Sequence, residues 1–441
     1  MKKHKLWALV AVAALLGAGT LQAAEKKSAA GGLELSGNVD VVTGFQYDNA
    51  NSLQLGYGQT TAAGALTPNV VNDADNVGVG EGQLGDLRGK GAPSHKTFNF
   101  YIDQVELDIN KTFGENIRIR ADLDFGRGLS GSLRTTGLGS NFLLEQGYVT
   151  ANIPIGNGLE FLIGRFNTPI GLEAVDRADN IALSYTNIYR WLRPHNTTGA
   201  KIYYAFNDLF DWHVYAVNNL YDSIGSVTGA AIAPLNQTTN DTAVPSWGTR
   251  FGFTWGEKGK ENVVGLSYAG GPEGIANNIT VAGVNFAATS KTHFTQMADL
   301  DFSFHVTDSF IIAGEGIIRM DAANGGLGAC TTSAPTNCKA FAGDLLFAYN
   351  FNETWGMYFR YEYFADRQGN YTLAYAKVAN LAAGGGAVAA NYQMHDFSLG
   401  TTYQITDGAK MTAEYRFDLG VPVAGGKPQN QAFALEFAYN F

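Results

Sequence analysis

Apolar and polar side chains alternate at every second position along much of this chain. From residue 33 to residue 47, Leu33, Leu35, Val39, Val41, Phe45 and Tyr47 share one parity, while Glu34, Ser36, Asn38, Asp40 and Gln46 hold the other. The same split returns in NIRIRADLDF (116–125), FTQMADLDFSF (294–304), FAGDLLFAYNF (341–351), WGMYFRYEY (355–363), AKMTAEYRFDL (409–419) and FALEFAYNF (433–441). Successive side chains of an extended strand point to opposite faces, so this period predicts strands with one apolar and one wet face. In these segments every charged residue lies on the parity opposite the apolar set.

A soluble β-sandwich alternates as well, and the connections separate the two cases. Short polar turns stand at 111–116, 153–158, 207–211, 256–262, 306–309, 350–354 and 406–409. Longer segments run between them, at 48–97, 127–140, 167–196, 219–246, 270–290, 322–338, 365–391 and 420–430. Seven turns and eight loops join sixteen strands, with both ends of the pattern on the short-turn side. This rhythm predicts an all-β fold, a transmembrane antiparallel β-barrel of about 16 strands with short periplasmic turns and long outer loops. Lipid leaves no backbone group an alternative partner, so the sheet must close on itself. The last strand is then expected to pair with the first near residues 32–48, with its aromatic end at the periplasmic interface.

Composition agrees with one large sheet structure: 54 Gly, 21 Tyr and 27 Phe accompany only 11 Pro and 6 Met. Residues 1–24 read as a secretory signal, with Lys2, Lys3 and Lys5 before the apolar run LWALVAVAALLGAG and a small-residue site, which assigns 25–441 to the barrel. Removing those three lysines takes the formal charge from -10 to -13, which argues against nucleic acid as a partner. No stretch after the signal resembles a spanning apolar helix.

Two segments resemble known sequences. Phe437, Tyr439 and Phe441 in the terminal strand resemble the assembly signal of bacterial outer-membrane proteins, which implies the barrel-assembly machinery as a partner. GRFNTPIGLEAVDRADN (164–180), following EQGYVTANIPIGNGLEFLIGRF (145–166), resembles the corresponding segment of the OmpL-like β-barrel porin family. The resemblance implies a diffusion channel for small hydrophilic solutes or ions in the outer membrane of a Gram-negative bacterium and, by analogy with sixteen-stranded porins, a homotrimer. A sheath or docking barrel around another protein is the alternative.

The third loop, 167–196, is the odd one, carrying Glu173, Asp176, Arg177, Asp179, Arg190, Arg193 and His195 among aromatic residues. It reads either as a constriction loop packed into the lumen or as a solvated outer loop whose charges keep it soluble. On the inward parity of the strands, Arg118, Arg120, Asp122, Asp124, Arg360, Glu362, Glu414 and Arg416 are expected to line the pore. Inward acids exceed inward bases by about two to one, which predicts a modest cation preference unless Arg177, Arg190 and Arg193 override it at the narrowest point. Cys330 and Cys338, eight apart in an outer loop of an exported chain, are expected to form a disulfide.

Other motifs fail in their context. GEGQLG (80–85) lacks the preceding strand and following helix of a dinucleotide site, and NDADNVG (72–78) lacks the closing acid of a calcium loop, having Leu84 there. GLSYA (265–269) sits within a strand and lacks the last Gly of a nucleophile elbow. Two cysteines are too few for a structural zinc site. The histidines His213, His293, His305 and His395 are scattered over different strands. No catalytic residue, metal ligand set or cofactor is therefore expected, and the chain reads as a non-enzyme.

Overall fold

The computed structural model describes residues 32–48, 96–125, 142–220, 244–273, 279–281, 284–286, 293–321, 338–366, 392–420 and 429–441. The signal segment, GEGQLG, NDADNVG, Cys330 and the side chains of Cys338 and Arg190 lie outside what it describes. The chain opens with β1 (Leu33–Asp48), then pairs β2 (Lys96–Phe113) with β3 (Ile117–Phe125) and β4 (Phe142–Ile153) with β5 (Leu159–Asn167). Next come β6 (Asn196–Ala205) with β7 (Phe210–Val217) and β8 (Ser246–Glu257) with β9 (Lys260–Glu273). A small hairpin, β10 (Ile279–Val281) and β11 (Val284–Phe286), stands apart from the main sheet within the fifth outer segment, where the sequence reading placed only a loop. The barrel continues with β12 (His293–His305) and β13 (Phe310–Asp321), β14 (Cys338–Asn350) and β15 (Trp355–Asp366), β16 (Tyr392–Thr406) and β17 (Ala409–Gly420), and ends on β18 (Gln429–Asn440).

Sixteen of these strands form one closed antiparallel barrel in which each pairs with its neighbours in sequence and β18 returns to β1. The closing register runs from Asn38 opposite Asn440 to Asp48 opposite Asn430. Below it, Phe441 and Gly37 exchange two backbone hydrogen bonds of 3.0 and 3.2 Å. The barrel itself has no edge strand, as a hydrocarbon environment demands.

All seven predicted turns join the strands they were expected to join. Three of them share one device, a side-chain oxygen that accepts two backbone N–H groups. Asn207 Oδ1 takes those of Leu209 and Phe210, Thr307 Oγ1 those of Ser309 and Phe310, and Asn352 Oδ1 those of Thr354 and Trp355. The device holds strand ends together without a long connection.

Burial is inverted relative to a soluble protein. Along β15, Trp355, Met357 and Phe359 are exposed while Arg360 and Glu362 are buried, and β17 exposes Tyr415 between buried Glu414 and Arg416. Leu, Ile, Phe and Trp side chains standing exposed around a closed barrel, with charges inside, describe a lipid-facing outer surface.

Register shifts occur between β1 and β2, β3 and β4, and β16 and β17, and the first two lie at neighbouring places. Between β1 and β2, Asp40 faces Gln104 and Val41 faces Ile102, so Asp103 is an extra residue. Between β3 and β4, Asp122 faces Gln146 and Leu123 faces Leu144, so Glu145 is extra. Such a bulge lets two consecutive side chains share a face. Asp103 with Gln104, and Glu145 with Gln146, accordingly all turn to the inner side, where they meet other inner-wall or loop residues.

Candidate functional site

The segment between β5 and β6 lies inside the barrel and meets the inner wall around much of its circumference. Its neck is closed by Asn167 opposite Asn196 and by a 2.7 Å bond from the Thr168 N–H to the His195 carbonyl. Two short helical turns occupy it, a 3-10 turn at Arg177–Asp179 and a π turn at Ile188–Leu192. Ile170, Ile188 and Leu192 pack with Leu162, Phe166, Tyr215, Met297, Ile317 and Phe364, and Leu183 reaches across to Val42 and Ala432 on the closing strands. The wall opposite is built from small residues, Ala340, Ala342, Ala313, Ala348 and Ala434, which give the loop room.

Charged side chains of the wall fasten this loop chiefly through its backbone. Three carboxylates accept N–H groups: Glu315 from Leu172 at 2.7 Å, Glu414 from Leu183 at 3.1 Å and Ser184 at 3.3 Å, and Glu362 from Asn187 and Ile188, each at 2.9 Å. Three cations donate to carbonyls: Lys410 to Ala178 at 2.5 Å, Arg416 to Tyr185 at 2.7 Å, and Arg319 to Trp191 at 3.4 Å. Tyr358 joins in, accepting from the Leu183 N–H at 3.0 Å and donating to Glu414 at 2.7 Å. A buried backbone group without a partner is costly, and the wall supplies partners that water would otherwise provide.

The loop also braces itself. Asn180 bonds both the N–H and the carbonyl of Ala174, at 2.9 and 3.0 Å, and Glu173 accepts from the Thr186 hydroxyl at 2.6 Å. Tyr185, Tyr189 and His195 stack with ring centroids 4.0 and 3.9 Å apart, and the Arg193 guanidinium lies 4.6 Å from the Tyr189 centroid. Burial and the neighbouring Arg193 push the His195 imidazole down to a pKa of about 3, so it is neutral and donates Nε2–H to the Tyr189 carbonyl at 2.5 Å.

The residues singled out from sequence fall into distinct places. Arg360, Glu362, Glu414 and Arg416 lie buried beneath the loop, Arg360 pairing with Glu173 at 2.8 Å and Arg416 with Asp396 at 3.0 Å and Asp418 at 2.6 Å. Within the loop, Arg177 pairs with Asp103 at 3.1 Å, Asp176 accepts from Gln104 at 2.8 Å, Arg193 donates to the Glu173 carbonyl at 2.5 Å, and Asp179 is half-buried. Asp122 and Asp124 are buried. Arg118 and Arg120 keep partial exposure below the loop, Arg118 on Asn110 at 3.0 Å and Arg120 on Asp122 at 2.7 Å and Asp108 at 3.4 Å. Sequence reasoning missed Asp103 and Glu145, because a period-2 pattern places each on the outer face and only the bulges turn them inward. It also missed Asn187, which donates its side-chain amide to Glu362 at 2.9 Å and also bonds Asp396.

No curated protein matches the chain in sequence. Among solved structures, the outer membrane channel DcaP of Acinetobacter baumannii is similar at a TM-score of 0.55 and 14% identity, over 95% of this chain and 99% of that one. An anion-selective porin from Comamonas acidovorans is similar at 0.52 and 10% identity, over 93% and 100%. The trimer form of OmpT, an outer membrane protein of Vibrio cholerae, gives 0.52 and 12%, over 94% and 100%. At such identities these structures share the fold alone. Residues 32–441 match the family described as "Putative beta-barrel porin-2, OmpL-like", so the chain belongs to the OmpL-like β-barrel porins of the Gram-negative outer membrane.

Proposed function

We propose that this barrel is a water-filled diffusion channel for small hydrophilic solutes or ions, that the segment 167–196 is its constriction, and that it modestly prefers cations. One observation carries the reading: a charged inner wall fastens a loop across the lumen while a partly exposed ladder of Asp108, Arg118 and Arg120 remains below it. A polar, hydrated interior narrowed by an ordered loop suits solute passage. The same loop occupies the interior that a protein partner would need, which favours a channel over a sheath. Nothing in this reading calls for an enzyme.

The cation preference rests on the balance of inward charge. Acids outnumber bases on the wall, and the two bulges add Asp103 and Glu145 to the acidic side. A homotrimer is proposed by analogy with the trimer form of OmpT, and insertion by the barrel-assembly machinery from the terminal Phe437, Tyr439 and Phe441. Single-channel recording on the reconstituted mature chain tests the function. Ohmic steps with a cation-directed reversal potential in a salt gradient are expected. Absence of conductance from correctly folded barrels would remove the channel, and an anion-directed potential would remove the charge argument.

A further inference from the structure

Glu106, Asp124, Glu145 and Asp176 bring one carboxylate oxygen each to within 4.8 Å of one another. Three of them come from neighbouring strands, β2, β3 and β4, and the fourth from the loop. Glu145 is there only because the bulge in β4 reverses its parity. None of the ion pairs among the described residues includes any of the four. Glu145 is fully buried and Glu106 is 3% exposed. Four acids without a cation, three of them buried and Asp176 half-buried, are an expensive arrangement unless something neutralises them.

The surroundings hold these groups as ligands are held. A primary amide fixes one oxygen of every carboxylate: Asn38 donates to Glu106 Oε2 at 2.5 Å and Asn167 to Glu145 Oε1 at 2.6 Å. Gln104 donates to both Asp124 Oδ1 at 3.1 Å and Asp176 Oδ1 at 2.8 Å. Metal-binding carboxylates are oriented by such outer partners. The remaining oxygens Glu106 Oε1 and Glu145 Oε2 are buried with no hydrogen-bond partner at all. They belong to two strand carboxylates that are at most 3% exposed and are the atoms left over once the amides have taken the others.

We propose that Glu106, Asp124, Glu145 and Asp176 bind one calcium ion that ties the loop to the wall. Calcium takes oxygen ligands at about 2.3–2.6 Å, so two oxygens across one ion stand at most about 4.6–5.2 Å apart. The spread of 4.8 Å or less fits that span. The ion would neutralise two of the four charges, and the amide donors stabilise the remainder. Because Asp176 is the loop's only contribution, occupancy of the site would pull the 3-10 turn at Arg177–Asp179 toward β2, β3 and β4.

The mature chain, refolded from inclusion bodies into detergent micelles free of lipopolysaccharide and stripped with EDTA, provides the test. Equilibrium dialysis with radioactive calcium chloride at pH 7.5 should show one saturable ion per chain. Glu145→Gln and Asp176→Asn should each weaken it by tenfold or more, whereas Asp308→Asn, on an exposed turn, should leave it unchanged. Asp176→Asn leaves every strand pairing intact, so it keeps the test valid should the wall variant fold poorly; heat-modifiable mobility on gels checks folding of each. No saturable binding to the wild type would mean that the carboxylates merely share protons, and binding equal to wild type in the folded variants would place the ion elsewhere. Either result overturns the proposal. The measurement needs no conductance, so its failure is distinct from failure of the channel reading.

Discussion

Glu362→Ala should release the centre of the loop. In the wild type both oxygens of this carboxylate are engaged, Oε2 by the Asn187 N–H and side-chain amide and Oε1 by the Ile188 N–H, all at 2.9 Å, at the start of the π turn. Truncation leaves two buried backbone N–H groups without acceptors, at about 1–3 kcal/mol each, so loop docking should weaken by roughly 4 kcal/mol. At about 1.4 kcal/mol per factor of ten, local opening becomes on the order of a thousandfold more frequent. Glu362→Gln should fall between, because its amide oxygen can accept from one N–H while its NH2 is forced against the other. Amide hydrogen exchange of residues 183–192 in detergent-folded barrels reads this directly, since docked amides exchange only through local opening. Exchange should accelerate in the order wild type, Gln, Ala. Recordings of the Ala variant should show a larger, noisier conductance. Unchanged exchange in folded Glu362→Ala barrels would refute the claim that wall charges hold the loop through its backbone.

Four further outcomes are expected, three from the structure and the disulfide from the sequence. Gly171 has φ +82, and an added Cβ would lie 2.5 Å from Arg193 Cδ, so Gly171→Ala should loosen the loop by about 1–3 kcal/mol, seen as increased exchange of residues 172–180. His195 titrates near 3 when docked and near 6.5 when released; its neutral form is the docked one, so the docking it supports is complete above 6.5 and is lost as pH falls from there toward 3. At pH 5 that amounts to about 2 kcal/mol, and opening on acidification should be blunted in His195→Gln. Deleting Phe441 removes its backbone pair with Gly37 and should reduce insertion into the outer membrane while export continues; normal yields of heat-modifiable barrel would contradict this. Thiol labelling of the unreduced, denatured protein should find Cys330 and Cys338 unreactive, with a closed loop contributing about 2–3 kcal/mol.

The barrel was legible because its determinants are local and repeated. Period-2 alternation fixes which face of each strand is apolar, and Asx- and glycine-bearing turns fix where each pair reverses. The wall positions Arg360, Glu362, Glu414 and Arg416 were read on the inner face, and they stand there. What they do there was not legible. Glu362, Glu414 and Arg416 bond main-chain groups of a segment some 170 to 230 residues away, and a backbone N–H or carbonyl carries no sequence signature. Asp103 and Glu145 were lost for the opposite reason. Nothing in IDQ or LEQ announces an extra residue, because a bulge is set by register with the neighbouring strand rather than by the bulged residue's own chemistry.

This division also explains why a tally of wall charges overstates the field an ion would feel. Glu315, Glu362 and Glu414 direct their lone pairs at loop N–H groups, and Arg360 and Arg416 are neutralised by Glu173, Asp396 and Asp418 within 3.0 Å. Charges so matched project little net potential into the water beside them. The less matched acids lie on the other side of the lumen, where Glu106, Asp124 and Glu145 of β2 to β4 meet Asp176. A divalent ion seated among them would remove much of that surplus as well. The two readings are therefore linked: with the calcium site filled, the wall approaches balance and selectivity shrinks, and with the site stripped the acidic side is uncovered and cation preference grows. Screening works in the same direction at all occupancies, since the Debye length falls from about 10 Å at 0.1 M salt to about 3 Å at 1 M. On the proposed reading, buried wall charge would thus have two physical roles, docking the loop around β13 to β17 and setting the field around β2 to β4, and the loop is the element that meets both.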